Sequence, residues 1–199
     1  MVKYIYQNKN WTDFTWDDKA INAVFGEVRL MQGKIIGQMN AMGFSAKEEA
    51  TLTTLTLDVV KSSEIEGELL NYDQVRSSIA RRLGINTAGL VPSNRHIEGI
   101  VEMMLDATQR HHLPLTKKRL FGWHAALFPT GYSGPYEIEV GRYRSGEMQV
   151  VSGAMGKEKV HYEAIKAELV EAEMEKFLDW FNNNNLLDPV MKAAIAHFW

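Results

Sequence analysis

Residues 45–84 read SAKEEATLTTLTLDVVKSSEIEGELLNYDQVRSSIARRLG, and this stretch decides the class of fold. Leu52, Leu55, Val59 and Val60 recur at helical spacing, and Gly67 supplies a stop. Ser45-Ala-Lys-Glu48 has the form of a capping box, in which serine and glutamate satisfy exposed backbone N–H groups reciprocally, so a helix is expected over about 46–67. Asn71-Tyr-Asp-Gln74 is a second start signal, opening a helix that ends near Leu83-Gly84.

The same pattern extends outward in both directions. Ile21, Val24, Phe25, Val28, Leu30, Met31, Ile35, Ile36 and Met39 predict a helix from Trp16 to Met42, with Gly43 as its C-terminal stop. Downstream, a polar loop over 85–93 precedes helices from Asn94 to Arg110 and from Thr116 to Leu127, and Pro129 ends the run. Between Thr130 and Gly156 glycines and tyrosines replace the helical pattern. The alternating Met148-Gln-Val-Val-Ser152 and Lys159-Val-His-Tyr-Glu163 predict a β-hairpin over about 147–163. Helix resumes from Ala167 to Asn182, followed by the short Asn182–Asn185 run. Asp188-Pro189, an N-cap with proline at the first helical position, opens a last helix from Val190 to Trp199. The fold class expected is mainly α with a small hairpin. Ala193, Ala194, Ile195, Phe198 and Trp199 ask for burial and no cap follows them, so the reading expects a chain that stops mid-helix.

The 199 residues, 45% apolar and 24% charged, suffice for a substantial core without a disulfide or metal. The chain has no cysteine, which excludes a disulfide scaffold, a thiolate zinc site and a cysteine nucleophile, and suits a reducing cytoplasm. A net charge of −3 gives no global field for nucleic acid. No run approaches the roughly 18 apolar residues of a membrane span, and the aromatic, polar N-terminus lacks a signal peptide's apolar core.

One local conflict stands out in Lys61-Ser-Ser-Glu-Ile-Glu-Gly-Glu68. Glu64, Glu66 and Glu68 sit at or beyond a helix C-terminus, where the dipole is already negative and an acid costs roughly 0.3–1 kcal/mol. Either the turn is simply a solvated acidic surface, or one glutamate serves a cationic partner.

Several motifs together bear on that choice. Ser62-Ser-Glu-Ile-Glu66-Gly67 matches the pattern Ser/Thr-x-x-x-Glu-Gly/Asn, the inhibitory motif of Fic proteins. Tyr6-Gln-Asn-Lys-Asn-Trp11 with Leu30-Met-Gln-Gly33 resembles the N-terminal domain fused to many bacterial Fic proteins. Val140-Gly-Arg-Tyr-Arg144 with Gln149-Val-Val-Ser-Gly153 is similar to the flap before their active site. Ala194-Ile-Ala-His-Phe-Trp199 resembles the helix leading into the His-Pro-Phe-x-x-Gly-Asn-Gly-Arg loop. The likeness covers nearly the whole chain in the right order.

The resemblance implies a Fic-type helical bundle with a β-hairpin flap: an N-terminal helical domain over 1–90 and the first part of a Fic domain over 91–199. It implies a protein adenylyltransferase, moving AMP from ATP to a hydroxyl of a target protein or of itself. The catalytic histidine, the magnesium ligand and the phosphate-binding arginines belong to a loop beyond Trp199, so the 199-residue chain is expected to be inactive. Glu66 would pair with the second arginine of that loop and deny it to the ATP γ-phosphate, by a charge-assisted, bidentate bond. Ser62 would support that site by hydrogen bonding, and Gly67 would let the chain turn away. Gln149, Val150, Val151 and Ser152 would add a strand to the target segment. Gly153 and Trp199 would lie near the nucleotide, and Arg142 and Arg144 would approach nucleotide or target or form surface ion pairs. Self-association as a homo-oligomer stays open. So do a non-catalytic inhibitory module of a Fic system and a Fic-fold enzyme that removes AMP.

Other signals are assigned structural roles. His111 and His112 suit a helix-end cap, and His197 on an apolar helix is expected in the core or supporting a site. No His-x-x-x-His pair occurs on a helix, which argues against zinc. Arg76, Arg81 and Arg82, and Lys117, Lys118 and Arg119, are expected as solvated basic faces. Met39, Met42, Met103 and Met104 are expected as core filler.

Overall fold

A computed structural model describes residues 4–86, 88–154, 156–184 and 186–199. Met1–Lys3 of the opening stretch, Thr87 of the expected loop, Met155 of the glycine-rich region and Asn185 of the asparagine run lie outside the described residues. The chain is mainly α, with two small antiparallel hairpins. A 3₁₀ turn, Ile5–Gln7, precedes helices α1 (Asp18–Ala41), α2 (Phe44–Ile65), α3 (Tyr72–Leu83), α4 (Arg95–Gln109) and α5 (Lys117–Leu127). Strands β1 (Tyr132–Ser133), β2 (Tyr136–Glu137), β3 (Gln149–Ser152) and β4 (Lys159–Glu163) follow, then α6 (Ala167–Asn183) and α7 (Pro189–Phe198). No helix among the described residues is long and apolar enough to cross a membrane.

The chain divides into two compact units, one holding residues 16–112 with 126–129, the other the N-terminal segment to Thr15 with 113–125 and 130–199. The expected boundary near residue 90 falls inside the first of these, between α3 and α4.

That unit has the larger core. Leu52 and Val59 from α2, Val75, Ile79 and Ala80 from α3, and Ile97, Ile100, Val101 and Leu105 from α4 form one buried cluster. Each large member stabilises the fold by roughly 1.5–3 kcal/mol through removal from water. The buried Thr56 hydroxyl donates to the Leu52 carbonyl, 2.6 Å away, one turn back in α2. Gly99 lets α4 approach the chain at Ala126: a Cβ there would lie 1.8 Å from the Ala126 carbonyl oxygen. Side-chain caps fix where α3 and α4 begin: Asn71 Oδ1 accepts from Gln74 N at 3.0 Å, and Asn94 Oδ1 from Ile97 N at 2.9 Å.

The junction of α1 and α2 departs from expectation. Gly43 is in the extended region (φ −63°, ψ 160°) and serves as N-cap of α2. Ser45 is therefore already inside the helix and the capping box does not form. With Met42 and Gly43 alone between the helices, no room is left for both a glycine stop and a serine start. α1 itself buries no residue, and Met42 is exposed rather than core filler. Gly26, Gly33 and Gly37 each weaken an exposed helix by about 1 kcal/mol relative to alanine, and nothing lies within 4 Å of where their Cβ atoms would be.

In the other unit the packing is aromatic. Phe177 and Trp180 of α6 meet Trp199 and also Phe181, Tyr4 and Tyr6 meet Tyr162 of β4, and Phe14 meets Phe198. Asn182 clamps the start of α5 to α6: its Oδ1 accepts from Leu115 N and its Nδ2 donates to Leu115 O, both at 2.8 Å. α7 opens as expected, with Asp188 accepting from Val190 N at 2.8 Å. Of its apolar residues Ile195 alone is buried, and Phe198 is exposed. His197 is exposed too, a correction to the core position expected for it, because Ile195 rather than His197 carries the inward face.

Candidate functional site

The end of α2 is shaped by a glycine. Gly67 adopts φ +82°, and the N–H groups of Gly67 and Glu68 return to the carbonyls of Glu64 and Ser63 at 3.0 and 2.9 Å. These two bonds make a Schellman motif, which satisfies the last helical carbonyls and turns the chain sharply. The helix ends at Ile65, with Glu66 as its cap residue.

The three acids at this turn have different partners. Glu64 pairs with Lys61, one turn earlier. Glu68 lies 3.0 Å from His96 Nε2 on α4. Glu66 has no side-chain hydrogen bond or ion pair among the described residues. Glu66 lines a cavity of about 480 Å³ together with the polar Ser62, Ser63, Glu68 and His96 and the apolar Ile100, Met103, Met104, Leu127 and Phe128. Met103 and Met104, expected as core filler, thus also form a wall of the cavity. Ser62 lines the same space but makes no hydrogen bond to Glu66. A cavity with one uncompensated carboxylate and an apolar wall suits a cation with some apolar body, such as a guanidinium on its methylene stem.

The three arginines of α3 are otherwise engaged. Arg76 pairs with Glu49 at 2.8 Å, and Arg81 and Arg82 both reach Glu98 at 3.2 Å. Although burial pushes the Glu98 carboxyl up, hydrogen bonds from Ser93 and Arg81 and the charge of Arg82 outweigh it and hold the group below the ordinary glutamate value. The expected solvated face of α3 is therefore an ion-paired one. Its partners come from α2 and α4, which sequence spacing alone does not reveal.

The second region is the β3–β4 hairpin. Gln149 pairs with Glu163, Val150 with Tyr162, Val151 with Val160 and Ser152 with Lys159, with an irregularity between Val150 and Val151. All four β3 residues are exposed. Ser152 Oγ lies 2.6 Å from His161 Nε2. Gly153 has φ +113°, and a Cβ there would come within 2.8 Å of the Lys157 carbonyl oxygen, so the hairpin itself requires glycine. The base is braced by Arg144, whose guanidinium donates to the carbonyls of Gly146, at 2.6 Å, and of Ile165. Arg142 sits 3.5 Å from Glu139 in a surface ion pair. Trp199 donates from Nε1 to Glu173 at 3.3 Å and lines a cavity of about 630 Å³ with Tyr6, Trp11, Tyr162 and Phe198.

Among the described residues no group of three or more histidines and carboxylates is placed to hold a metal ion. His111 Nδ1 lies 2.8 Å from the Thr108 carbonyl at the end of α4, as a helix-end cap does.

A profile of a domain family of unknown function, DUF4172, matches residues 4–85. The match takes in α1, α2 and α3, including the Glu66 turn, and is less than half of the chain. No curated protein matches the sequence.

Proposed function

We propose that this chain is the inhibitory and target-docking part of a Fic-type protein adenylyltransferase, with Glu66 as the residue that restrains AMP transfer. The observation that carries the reading is Glu66 itself. Of three acids at one helix end it alone has no partner among the described residues, and it lines a cavity suited to a guanidinium. In this reading the incoming arginine is the one that would otherwise bind the ATP γ-phosphate. Inhibition is then competition between two anions for one cation. Ser62 and Ser63 offer hydroxyls at the same cavity, and the Schellman turn at Gly67 holds Glu66 in place through backbone bonds alone.

The exposed β3 strand is the docking edge. Main-chain groups of Gln149 to Ser152 bind an extended target segment, and Arg144 keeps the hairpin's base from opening. The described residues supply no metal cluster, so no step through magnesium is assigned to them. In this reading ATP and magnesium are held by the catalytic loop of a Fic domain.

The test is Glu66→Gly in the full gene product, assayed with labelled ATP and magnesium. The expected outcome is at least tenfold more AMP on the protein or its target, corresponding to about 1.4 kcal/mol of relieved inhibition. Equal labelling of wild type and variant overturns the assignment. Loss of AMP from a pre-modified target, in place of gain, would move the same site to an AMP-removing enzyme.

A further inference from the structure

We propose that the open face of α1 is covered by α1 of a second copy of this chain, packed antiparallel. The inference does not depend on the role of Glu66.

α1 has 24 residues, about 36 Å of helix, and buries none of them. Val24, Val28, Met31 and Ile35 each keep 48–59% of their surface in solvent. With Ile21 they follow a heptad: Ile21, Val28 and Ile35 at its first position, Val24 and Met31 at its fourth, where Gln38 ends the run. A helix of this length carrying three interior glycines draws its stability from packing of its apolar face rather than from propensity. An exposed apolar stripe of this kind, over residues 24–35, marks an interaction surface.

Charge decides the occupant and its direction. Glu27 and Lys34 lie on one flank of the stripe, one heptad apart, and neither has a hydrogen-bond or ion-pair partner among the described residues. A parallel copy would set that flank against Gln32 and Met39, which offer no charge. An antiparallel copy centred between Arg29 and Leu30 sets Val28 against Met31 and Val24 against Ile35. It also brings Glu27 beside Lys34 of the other copy, twice by symmetry. The face is thus complementary to itself in one orientation only.

The measurement is sedimentation equilibrium of the 199-residue chain up to about 0.5 mM, a range that reports even weak association. The expected result is a concentration-dependent dimer. Glu27→Lys and Lys34→Glu should each raise its dissociation constant roughly tenfold, since both symmetric pairs become repulsive. The double reversal should restore the wild-type constant. Val28→Asp should abolish the dimer while far-UV circular dichroism still shows folded helices. A wild-type chain that remains monomeric, a dimer that survives Val28→Asp, or a double reversal no better than either single one overturns the proposal.

Discussion

The C-terminal ends of α2 and α3 have the same backbone and opposite chemistry. Both close in a Schellman motif on a left-handed glycine, Gly67 at φ +82° and Gly84 at φ +67°. At α3 the last turn carries Arg81 and Arg82, which favour the negative end of the dipole and share Glu98. At α2 the corresponding region carries Glu64, Glu66 and Glu68, the unfavourable sign. The hydrogen-bonded turn is the same in both, so charge is not what shapes a helix end here. Glycine shapes it, and charge is left available for another use. At α3 that use is structural, since it ties the 85–93 loop and α4 to the helix: Arg81 also donates to the Val91 carbonyl at 3.0 Å. At α2 Glu64 and Glu68 each have a neighbouring partner, and among the described residues Glu66 has none.

The largest effect should come from a change that disturbs both ends at once. Gly99 sits on α4 between Glu98, which serves the α3 end, and Ile100, which lines the Glu66 cavity. Gly99→Ala forces a methyl to within 1.8 Å of a backbone oxygen, so α4 or the chain at Ala126 must move. A loss of about 2–3 kcal/mol is expected from overpacking of this kind, read as a lower urea midpoint with little change in slope. An unchanged midpoint would mean that α4 is not held close at Ala126.

Next in size is the glycine pair. Gly67→Ala and Gly84→Ala each place a Cβ in the left-handed region and should cost about 1–2 kcal/mol. Neither added methyl meets any atom within 4 Å, so the cost is conformational and should be nearly equal at the two ends. A large difference between them would show that the acids or the arginines strain one turn.

How much of this contrast could be read from the sequence follows from range. Gly67, Gly84, Asn71 and Asn94 act on neighbours within a few residues, and the ends they mark were legible. So was the misplaced acidity of residues 64–68, and the Lys61–Glu64 spacing could have removed one acid from consideration in advance. The pairing of Glu68 with His96, and of Arg81 and Arg82 with Glu98, depends on how α4 packs against its neighbours, and no local spacing encodes it. For that reason the partnerless state of Glu66 emerges only in three dimensions. Gly43 misled because a glycine before a serine reads equally as the stop of one helix and the approach to the next. His197 misled because α7 buries Ile195 and leaves the face carrying Ala193, Ala194, His197 and Phe198 exposed.

The α3 end should also show itself in acid. Glu98 has a folded-state value below its ordinary one, so the unfolded chain binds its proton first as pH falls. Its contribution is complete above the ordinary glutamate range and disappears as pH drops through the lowered value. Glu98→Gln should cost about 1 kcal/mol at neutral pH, allowing for its partial exposure. It should also flatten the dependence of the urea midpoint on pH below about 5. If the slope is unchanged, the arginines stabilise α3 by packing alone.

The smallest effect is the most informative about α2, because its sign is unusual. Glu66 contributes no bond and opposes the dipole, so Glu66→Lys should raise stability by about 0.5 kcal/mol. Most substitutions destabilise, and a gain at a named residue marks a position where the native side chain is kept for something other than the fold. The same reversal at α3, Arg82→Glu, should act in the opposite direction, since it sets a carboxylate beside Glu98 and Glu102. If Glu66→Lys instead weakens the chain, Glu66 has a structural partner and the two helix ends are alike after all. If it strengthens the isolated chain while releasing AMP transfer in the full gene product, then stability and restraint oppose one another at this one carboxylate. The acid at the wrong end of α2 would then be there for the cation it intercepts.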